Sequence, residues 1–461
     1  MNILLSEAAI ALNAALLGND AQFTHVGTDS RQVKPGQLFI ALKGEHFDGH
    51  DYALQALEQG AAAVMIDHAM PGVTPALLVT DCYAALGQLA AYWRSQFSLP
   101  LAAITGSNGK TTVKEMLASI LRVASRDADA VLATQGNLNN HIGLPLTLLK
   151  LGAQHHYAVT EMGMNHSGEI SYLSQIARPD VAVITNAGYA HIGELGSVEA
   201  IAKAKAEIFV GLALDGVAVI NADDVFAPMW QQAATTHKII SFGLNHPADV
   251  SATYRLNADD SLLNISTKQG NIKVNLPAPG VHNVLNALAA CAAALAMGVP
   301  LTKIAAGLEN YTGIKGRLQT LRGMNAALVI DDSYNANPAS MQAAIDVLCA
   351  KTGEKILVVG DMGELGVDAA ALHAQIGRYA KAAGINNLMT LGDLSKNTSD
   401  AFGPGASHYD SAADLTAALL AQMQPTSVVL VKGSRFMAME QIVHSISKTH
   451  ASANNENGAA H

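Results

Sequence analysis

Residues 99–125 read LPLAAITGSNGKTTVKEMLASILRVAS. An apolar run is followed by a glycine loop, and then by a segment whose Val113, Met116, Leu117, Ile120 and Leu121 recur at helical spacing on one face. Strand, glycine loop and helix in that order form the frame that phosphate groups require. Glycines let backbone amides turn inward, and the helix N-terminus adds positive potential. In the loop Gly106-Ser107-Asn108-Gly109-Lys110-Thr111-Thr112, Lys110 is placed to neutralise β and γ phosphates and Thr111 to ligate magnesium. The loop departs from the strict G-x-x-x-x-G-K-[ST] form, whose first glycine would fall at Ile104. A glycine turn that merely closes a strand is the bland alternative, and the flanking strand and helix weigh against it.

Working outward, apolar strands are expected at 156–160, 181–185 and 216–220, then a polar hairpin-like insertion near 250–276 and an Ala-rich helix over 284–299. Alternation of strand and helix implies a parallel sheet covered on both faces. Upstream, QLFIAL, AAAVMI and ALLVT form a small α/β unit, with a helix over 52–59 between them. Downstream of Gly313, ALVIDD, KILVVGD, NLMTLGD and SVVLVKGS each end in a polar or glycine-rich loop, which predicts a third, doubly wound unit. The expected division is 1–82, 83–313 and 314–449, with a disordered tail over 450–461. The fold class is α/β in three domains: a small N-terminal α/β domain, a central P-loop ATPase-like parallel sheet and a C-terminal Rossmann-like domain.

Composition narrows the function. A chain of 461 residues exceeds one ordinary core, and half of it is apolar, so each unit can bury its own. The formal charge of −10 offers no basic footprint for nucleic acid or an anionic membrane. The apolar start MNILLSEAAIALNAALLG lacks a cationic leader and carries Glu7, which argues against export. The Ala-rich run falls short of a bilayer span. Cys82, Cys291 and Cys349 lack metal-ligand or redox spacing, and their odd number argues against a disulfide framework, so reduced thiols in a cytoplasmic, monomeric protein are expected.

Three further motifs share the edge of the sheet that carries the P-loop. Glu161 ends HYAVTE, where a magnesium ligand suits a carboxylate; Thr185-Asn186 ends the next strand; and His191 follows in NAGYAHIGE. By itself a loop histidine is more often satisfied by a backbone carbonyl. In SVEAIAKAKAEIFVGL, Lys203 stands four residues from both Glu199 and Glu207, the spacing of solvated ion pairs. Lys205 instead joins the stripe of Ile201, Ile208, Phe209 and Leu212, where a lysine either snorkels or loses its proton and becomes able to react with carbon dioxide. Asn283 and Asn286, at i and i+3 of a helix start, suit a purine edge, a loop or a cap. Lys315, Arg317 and Asp332 are placed to reach a ribose or phosphate from across a cleft.

Taken together, TDSR (28–31), GNLNNHIGLP (136–145), EMGMNHSGEI (161–170), AKAKAEIF (202–209), DDSYNANPASM (331–341) and GDMGELG (360–366) resemble the Mur ligase family over essentially the whole chain. The resemblance implies an ATP-dependent amide ligase of cell-wall precursor synthesis, adding D-alanyl-D-alanine to UDP-N-acetylmuramoyl-tripeptide through an acyl phosphate. It implies that Ser30, Arg31 and the 43–52 segment with Lys43 hold the UDP moiety, and that Asn137, Asn139 and Asn140 line the muramoyl-peptide channel. It assigns Thr111, Glu161 and His191 to two magnesium ions and makes Lys205 a carbamate, also metal-binding. Lys110, Lys205 and His191 become catalytic, Asn283 and Asn286 meet adenine, and Arg317 and Asp332 contact the nucleotide. The third unit should close over ATP. A ligase for a single amino acid, a folylpolyglutamate synthase-like enzyme and a regulatory NTPase are the competing readings, the first two disfavoured by GNLNN.

Overall fold

The computed structural model describes residues 1–189 and 192–447. Its centre is a nine-stranded sheet built on strand Leu101–Thr105, which lies between Tyr157–Glu161 and Val181–Ile184, all parallel. Val131–Ala133 closes one edge, and Val217–Asn221 and Lys238–Phe242 continue the other. The observed strands lie within a residue of the expected ones. Their side chains are buried on both faces, which is why they read as unbroken apolar runs. The insertion is an antiparallel meander, Val250–Leu256, Ser261–Thr267 and Gly270–Leu276, that extends this same sheet. The Ala-rich helix runs Val281–Ala296 with most residues buried, its small side chains letting it lie close on the sheet and on helix Lys110–Ser125. Among the described residues no helix is long and apolar enough to cross a membrane.

The first unit holds a five-stranded sheet in the order Ala15–Leu17, Ala76–Leu78, Ala63–Ile66, Gln37–Ile40, His25–Gly27. Three of these strands are the expected ones; the outer two are three-residue, partly exposed pieces with too little periodicity to be read. The helix expected over 52–59 forms as a 3₁₀ turn, Gly49–Tyr52, running into Ala53–Glu58. Helix Cys82–Arg94 starts where the unit was expected to end, capped by Asp81 accepting from Tyr83 and Ala84 amides.

In the third unit the four expected strands, Leu328–Asp332, Glu354–Gly360, Asn387–Leu391 and Ser427–Lys432, are parallel, with Ser427–Lys432 between the first two. Two more flank them, antiparallel Gln319–Arg322 and parallel Ala406–Tyr409, both half-exposed. Apolar cores fill both faces, as a doubly wound sheet demands.

Candidate functional site

The P-loop is shaped by its glycines. Gly106 and Gly109 have φ of 149° and 83°. A Cβ on the first would stand 1.8 Å from Thr185 Oγ1, and one on the second 2.3 Å from Asn286 Oδ1, so neither position tolerates a side chain. The adjacent strand end clamps the loop. Asn186 accepts the Asn108 amide on Oδ1 at 2.9 Å and the Ser107 amide on its carbonyl at 2.9 Å. Thr185 Oγ1 and Asn186 Nδ2 both donate to the Asn108 carbonyl, at 2.6 and 3.0 Å. Asn221 Nδ2 in turn donates to the Thr185 carbonyl at 2.9 Å. Asn186 and Asn221 were not legible as loop anchors, because nothing in the sequence signals which amide faces which strand end.

Lys110 and Thr111 open helix Lys110–Ser125, with Gly109 as N-cap. Lys110 Nζ donates to the Gly106 carbonyl at 2.7 Å. Burial pushes its pKa down, Glu161 opposes that shift, and Arg317 adds to it. Thr111 and Thr112 are buried in the first turn. Asn283 and Asn286 lie at the start of helix Val281–Ala296: Asn283 Nδ2 donates to the Pro279 carbonyl at 2.8 Å, and Asn286 Nδ2 to Asn283 Oδ1 at 3.2 Å. That leaves Asn286 Oδ1 packed on Gly109, so of the three uses open to this pair, holding a loop is one the structure displays.

Glu161 ends its strand 3% exposed. Oε1 accepts Asn139 Nδ2 at 2.9 Å, whereas Oε2 is buried with no hydrogen-bond partner. A solvent-excluded carboxylate oxygen without a donor is costly unless a cation completes it. Within electrostatic reach of Lys110 in the phosphate-binding loop, this carboxylate fits a hard divalent ion of the magnesium type. Asn139 thus stands at Glu161, while Asn140 spends its side-chain oxygen on the Ile142 and Gly143 amides at 3.2 and 2.9 Å, and Asn137 is exposed in the same loop. Lys114, overlooked in the sequence, is 1% exposed and supports this region from beneath. Its Nζ donates to the Thr134 carbonyl at 2.6 Å, and the Thr134 hydroxyl accepts the Glu161 amide at 3.0 Å.

Helix Val198–Ala206 passes into a 3₁₀ segment, Glu207–Gly211. Lys205 is 2% exposed, amid buried Ile201, Ile208, Phe209 and Leu212, and makes no ion pair among the described residues. Burial first, then the charge of Lys110, holds its pKa well below the usual lysine range. Lys203 is exposed and pairs with Glu199 at 2.7 Å. Its second expected neighbour, Glu207, turns away to accept the Ser167 hydroxyl and the Gly168 and Ser171 amides. The free amides opening helix Glu169–Ala177 are a better partner for a carboxylate than a solvated lysine. His191 lies outside the described residues, as does the 450–461 tail; the nearby Gly193 amide donates to the Glu364 carbonyl of the third unit at 3.1 Å.

Two side-chain bonds carry the third unit onto the P-loop. Arg317 Nη2 donates to Thr111 Oγ1 at 3.0 Å with its guanidinium 4.4 Å from the Tyr334 ring centre, and Asn337 Nδ2 donates to Asn108 Oδ1 at 2.7 Å. Asp332 is buried, accepting the Leu318 amide at 3.0 Å and Lys432 Nζ at 2.6 Å. Ser30 and Arg31 occupy the short turn Ser30–Gln32 of the first unit, where Asp29 holds the Arg31 guanidinium through two bonds. Lys43 is exposed, 3.8 Å from Asp48. These three residues share no hydrogen bond or ion pair with the P-loop among the described residues; they lie in two loops of the first unit, one before and one after strand Gln37–Ile40.

The Mur ligase middle domain profile matches residues 104–294, the Mur ligase glutamate ligase domain 316–435, and the Mur ligase family catalytic domain 22–92. A UDP-N-acetylmuramoyl-tripeptide–D-alanyl-D-alanine ligase of Escherichia coli is 42% identical over 449 residues, 97% of this chain and 98% of that protein. A crystal structure of MurF from Acinetobacter baumannii superposes with a TM-score of 0.90 at 40% identity, covering 95% of this chain and 97% of the other. The Thermotoga maritima MurF ligase in complex with ADP gives a TM-score of 0.81 at 26% identity, covering 91% and 96%. With three profiles in sequence along the chain and this identity along nearly its full length, the protein belongs to the Mur ligase family.

Proposed function

We propose that this chain is the ATP-dependent ligase that joins D-alanyl-D-alanine to the carboxylate of UDP-N-acetylmuramoyl-tripeptide, releasing UDP-N-acetylmuramoyl-pentapeptide, ADP and phosphate. The observation that carries the reading is that its likeness to the D-alanyl-D-alanine ligases runs through all three units, not through the nucleotide-binding sheet alone. We take the units to be 1–82, 83–313 and 314–449, working as a cytoplasmic monomer at the last cytoplasmic step of precursor peptide assembly.

A carboxylate resists an amine until one of its oxygens becomes a leaving group, and ATP supplies that group. In this reading Gly106 to Thr112 cradle the phosphates, Lys110 neutralises charge on the γ-phosphoryl group in flight, and Arg317 crosses from the third unit to the same place. Thr111, Glu161 and His191 would hold magnesium, which supplies further charge neutralisation when bound. Lys205, as a carbamate, would exchange a cation repelled by Lys110 for an anion attracted to it. The amine then attacks the acyl carbon, phosphate leaves from the tetrahedral intermediate, and the amine's proton passes to solvent or to phosphate. Asn283 and Asn286 would face adenine, Asp332, held by Lys432, would contact the nucleotide, and Ser30, Arg31 and Lys43 would take the UDP end, with Asn137, Asn139 and Asn140 along the peptide. Closure of the third unit keeps water from the acyl phosphate.

The test is phosphate release from ATP and magnesium with UDP-muramoyl-tripeptide, comparing D-alanyl-D-alanine with single amino acids. Turnover with the dipeptide alone, yielding the pentapeptide, is expected. Turnover driven by a single amino acid keeps the mechanism and removes the named reaction; hydrolysis indifferent to UDP-sugar peptides turns the chain into an NTPase of another kind.

A further inference from the structure

Away from the P-loop, the first unit gathers a second set of ligating side chains from three distant segments. His50 comes from the turn Gly49–Tyr52, Asp67 follows strand Ala63–Ile66, and Cys82 opens helix Cys82–Arg94. One ligand atom from each lies within 4.8 Å of both others. His50 and Cys82 are 4% and 3% exposed, and Asp67 is partly open to solvent. Asp67 and Cys82 have no part in the ligase chemistry described above, and His50, though it lies in the 43–52 segment, has its ring 4% exposed and turned to Asp48 and Asp67.

The arrangement around His50 is that of an oriented metal ligand. Asp48 Oδ1 lies 2.6 Å from His50 Nδ1 and also accepts the His50 amide at 3.0 Å, so the proton belongs on Nδ1 and the lone pair on Nε2. A carboxylate that fixes the tautomer from behind is the usual outer partner of a ligating histidine. Nε2 then faces Asp67, with Oδ1 at 3.2 Å and the amide donating at 3.3 Å. In this structure the Nε2 lone pair accepts only that long amide bond, which a cation lying against the Asp67 carboxylate would replace. His68 stands at the rim, its Nδ1 2.6 Å from Asp67 Oδ1 and its ring centre 4.7 Å from that of His50. The Cys82 thiol makes only a weak 3.7 Å contact with the Met65 carbonyl.

We infer that His50, Asp67 and Cys82 form a binding site for one zinc-type divalent ion, with His68 or solvent completing the coordination. Thiolate and imidazole select a borderline or soft ion over magnesium. Bonds of roughly 2.0–2.3 Å in a tetrahedral site place ligand atoms about 3.3–3.8 Å apart; His50 Nε2 and Asp67 Oδ1 already stand at 3.2 Å, so the adjustment falls on the Cys82 side chain. Binding breaks the Cys82 S–H bond, releases that proton to solvent and leaves the sulfur electron pair on the metal. Without a cation, burial and the nearby Asp67, Asp81 and Asp48 push the thiol up to about 12; a divalent ion reverses that balance, because the same three carboxylates attract it. Occupancy would staple the 43–52 segment to the strand end and to the first long helix of the chain.

The experiment uses the full chain, stripped with a chelator and returned to buffer containing excess magnesium, so that hard-ion sites do not report. Cadmium titration followed by thiolate-to-cadmium charge-transfer absorption should saturate at one equivalent, and zinc should displace it and raise the melting temperature. Cys82→Ser, whose helix-start position accepts a hydroxyl, should abolish the absorption and the zinc-induced rise while leaving the metal-free melting temperature near that of the parent. Asp48→Asn should weaken zinc by about 10–100-fold, measured against a chromophoric chelator. Absorption that persists in Cys82→Ser places the metal on Cys291 or Cys349 and overturns the assignment, as does an absence of stoichiometric binding in the parent. Because the readout is binding, the result stands apart from the ligase reaction.

Discussion

Arg317 and Thr111, 206 residues apart in sequence, meet through one 3.0 Å hydrogen bond that joins the third unit to the first turn of the P-loop helix. The guanidinium carbon lies over the Tyr334 ring, 4.4 Å from its centre, so it reaches the loop with few rotamers left to lose. Arg317→Ala should lower kcat/KM for ATP by about 10–100-fold, the worth of a hydrogen bond to a charged group. Tyr334→Ala should cost only several-fold, since it removes the stacking and keeps the charge. Steady-state kinetics with ATP varied at saturating co-substrates would separate the two, and equal losses would mean that Tyr334 does more than orient the arginine.

Gly109 has no room for even a methyl group. Its φ is 83° and a Cβ would press on Asn286 Oδ1 at 2.3 Å. Gly109→Ala should weaken nucleotide binding by at least about tenfold, the left-handed conformation alone costing roughly 1–2 kcal/mol. Asn286→Ala removes the clash along with a side chain placed at adenine, so the comparison is a double-mutant cycle: Gly109→Ala should cost less nucleotide affinity in the Asn286→Ala background than in the parent. An unchanged affinity in Gly109→Ala would show that the loop reshapes freely.

The two lysines of helix Val198–Ala206 make opposite predictions. Lys205→Ala should abolish turnover, and a small carboxylate added to the buffer should restore part of it by standing in for the carbamate. Lys203→Ala should change kcat less than about twofold, because its exposed pair with Glu199 is worth about 0–1 kcal/mol. Equal losses at both positions would count against an active role for the buried face.

These predictions draw unevenly on what the chain displays before folding. Strand, loop and helix at 99–125 were legible because a buried parallel strand reads as an unbroken apolar run and a phosphate loop needs its glycines. The burial of Lys205 followed from its stripe of apolar neighbours. Edge strands Gln319–Arg322 and Ala406–Tyr409 escaped because half-exposed strands mix polar and apolar residues without a clear period. Partnerships such as Asn186 with the P-loop, Lys114 beneath Thr134 and Lys432 with Asp332 escaped for a different reason. Each joins elements whose approach is set by sheet order, and no local spacing encodes it.

The Asp332–Lys432 pair links adjacent strands of the third sheet, with Lys432 almost wholly buried. Lys432→Met strands the carboxylate in a desolvated position and should destabilise the third unit by about 3–5 kcal/mol. Asp332→Asn combined with Lys432→Met removes both charges and should regain much of that loss, read as the denaturant midpoint. Nucleotide affinity should stay low in the double variant if the pair also positions Asp332 for binding, which separates its role at the site from its role in the fold.

His373 gives the pH dependence of the loop that meets the central unit. Its Nε2 accepts the Met362 amide at 2.9 Å and its Nδ1 lies 2.7 Å from the Ala369 carbonyl, so the neutral ring with its proton on Nδ1 satisfies both partners. A second proton would set N–H against N–H at Met362, and burial, the largest influence, lowers the pKa below the ordinary 6.5. Since the folded ring resists protonation and the unfolded one does not, this group costs nothing above about pH 6.5. Below that, the unfolded chain takes up the proton first, and stability falls as pH drops toward the folded value, by at most about 1.4 kcal/mol per pH unit. His373→Gln, which keeps an amide donor and acceptor but does not titrate, should be less stable than the parent at pH 7.5 and should lose less between pH 6.5 and 5. Melting curves of the two proteins across that range cancel the other histidines in the difference, and parallel curves would mean that the His373 ring is protonated as readily folded as unfolded.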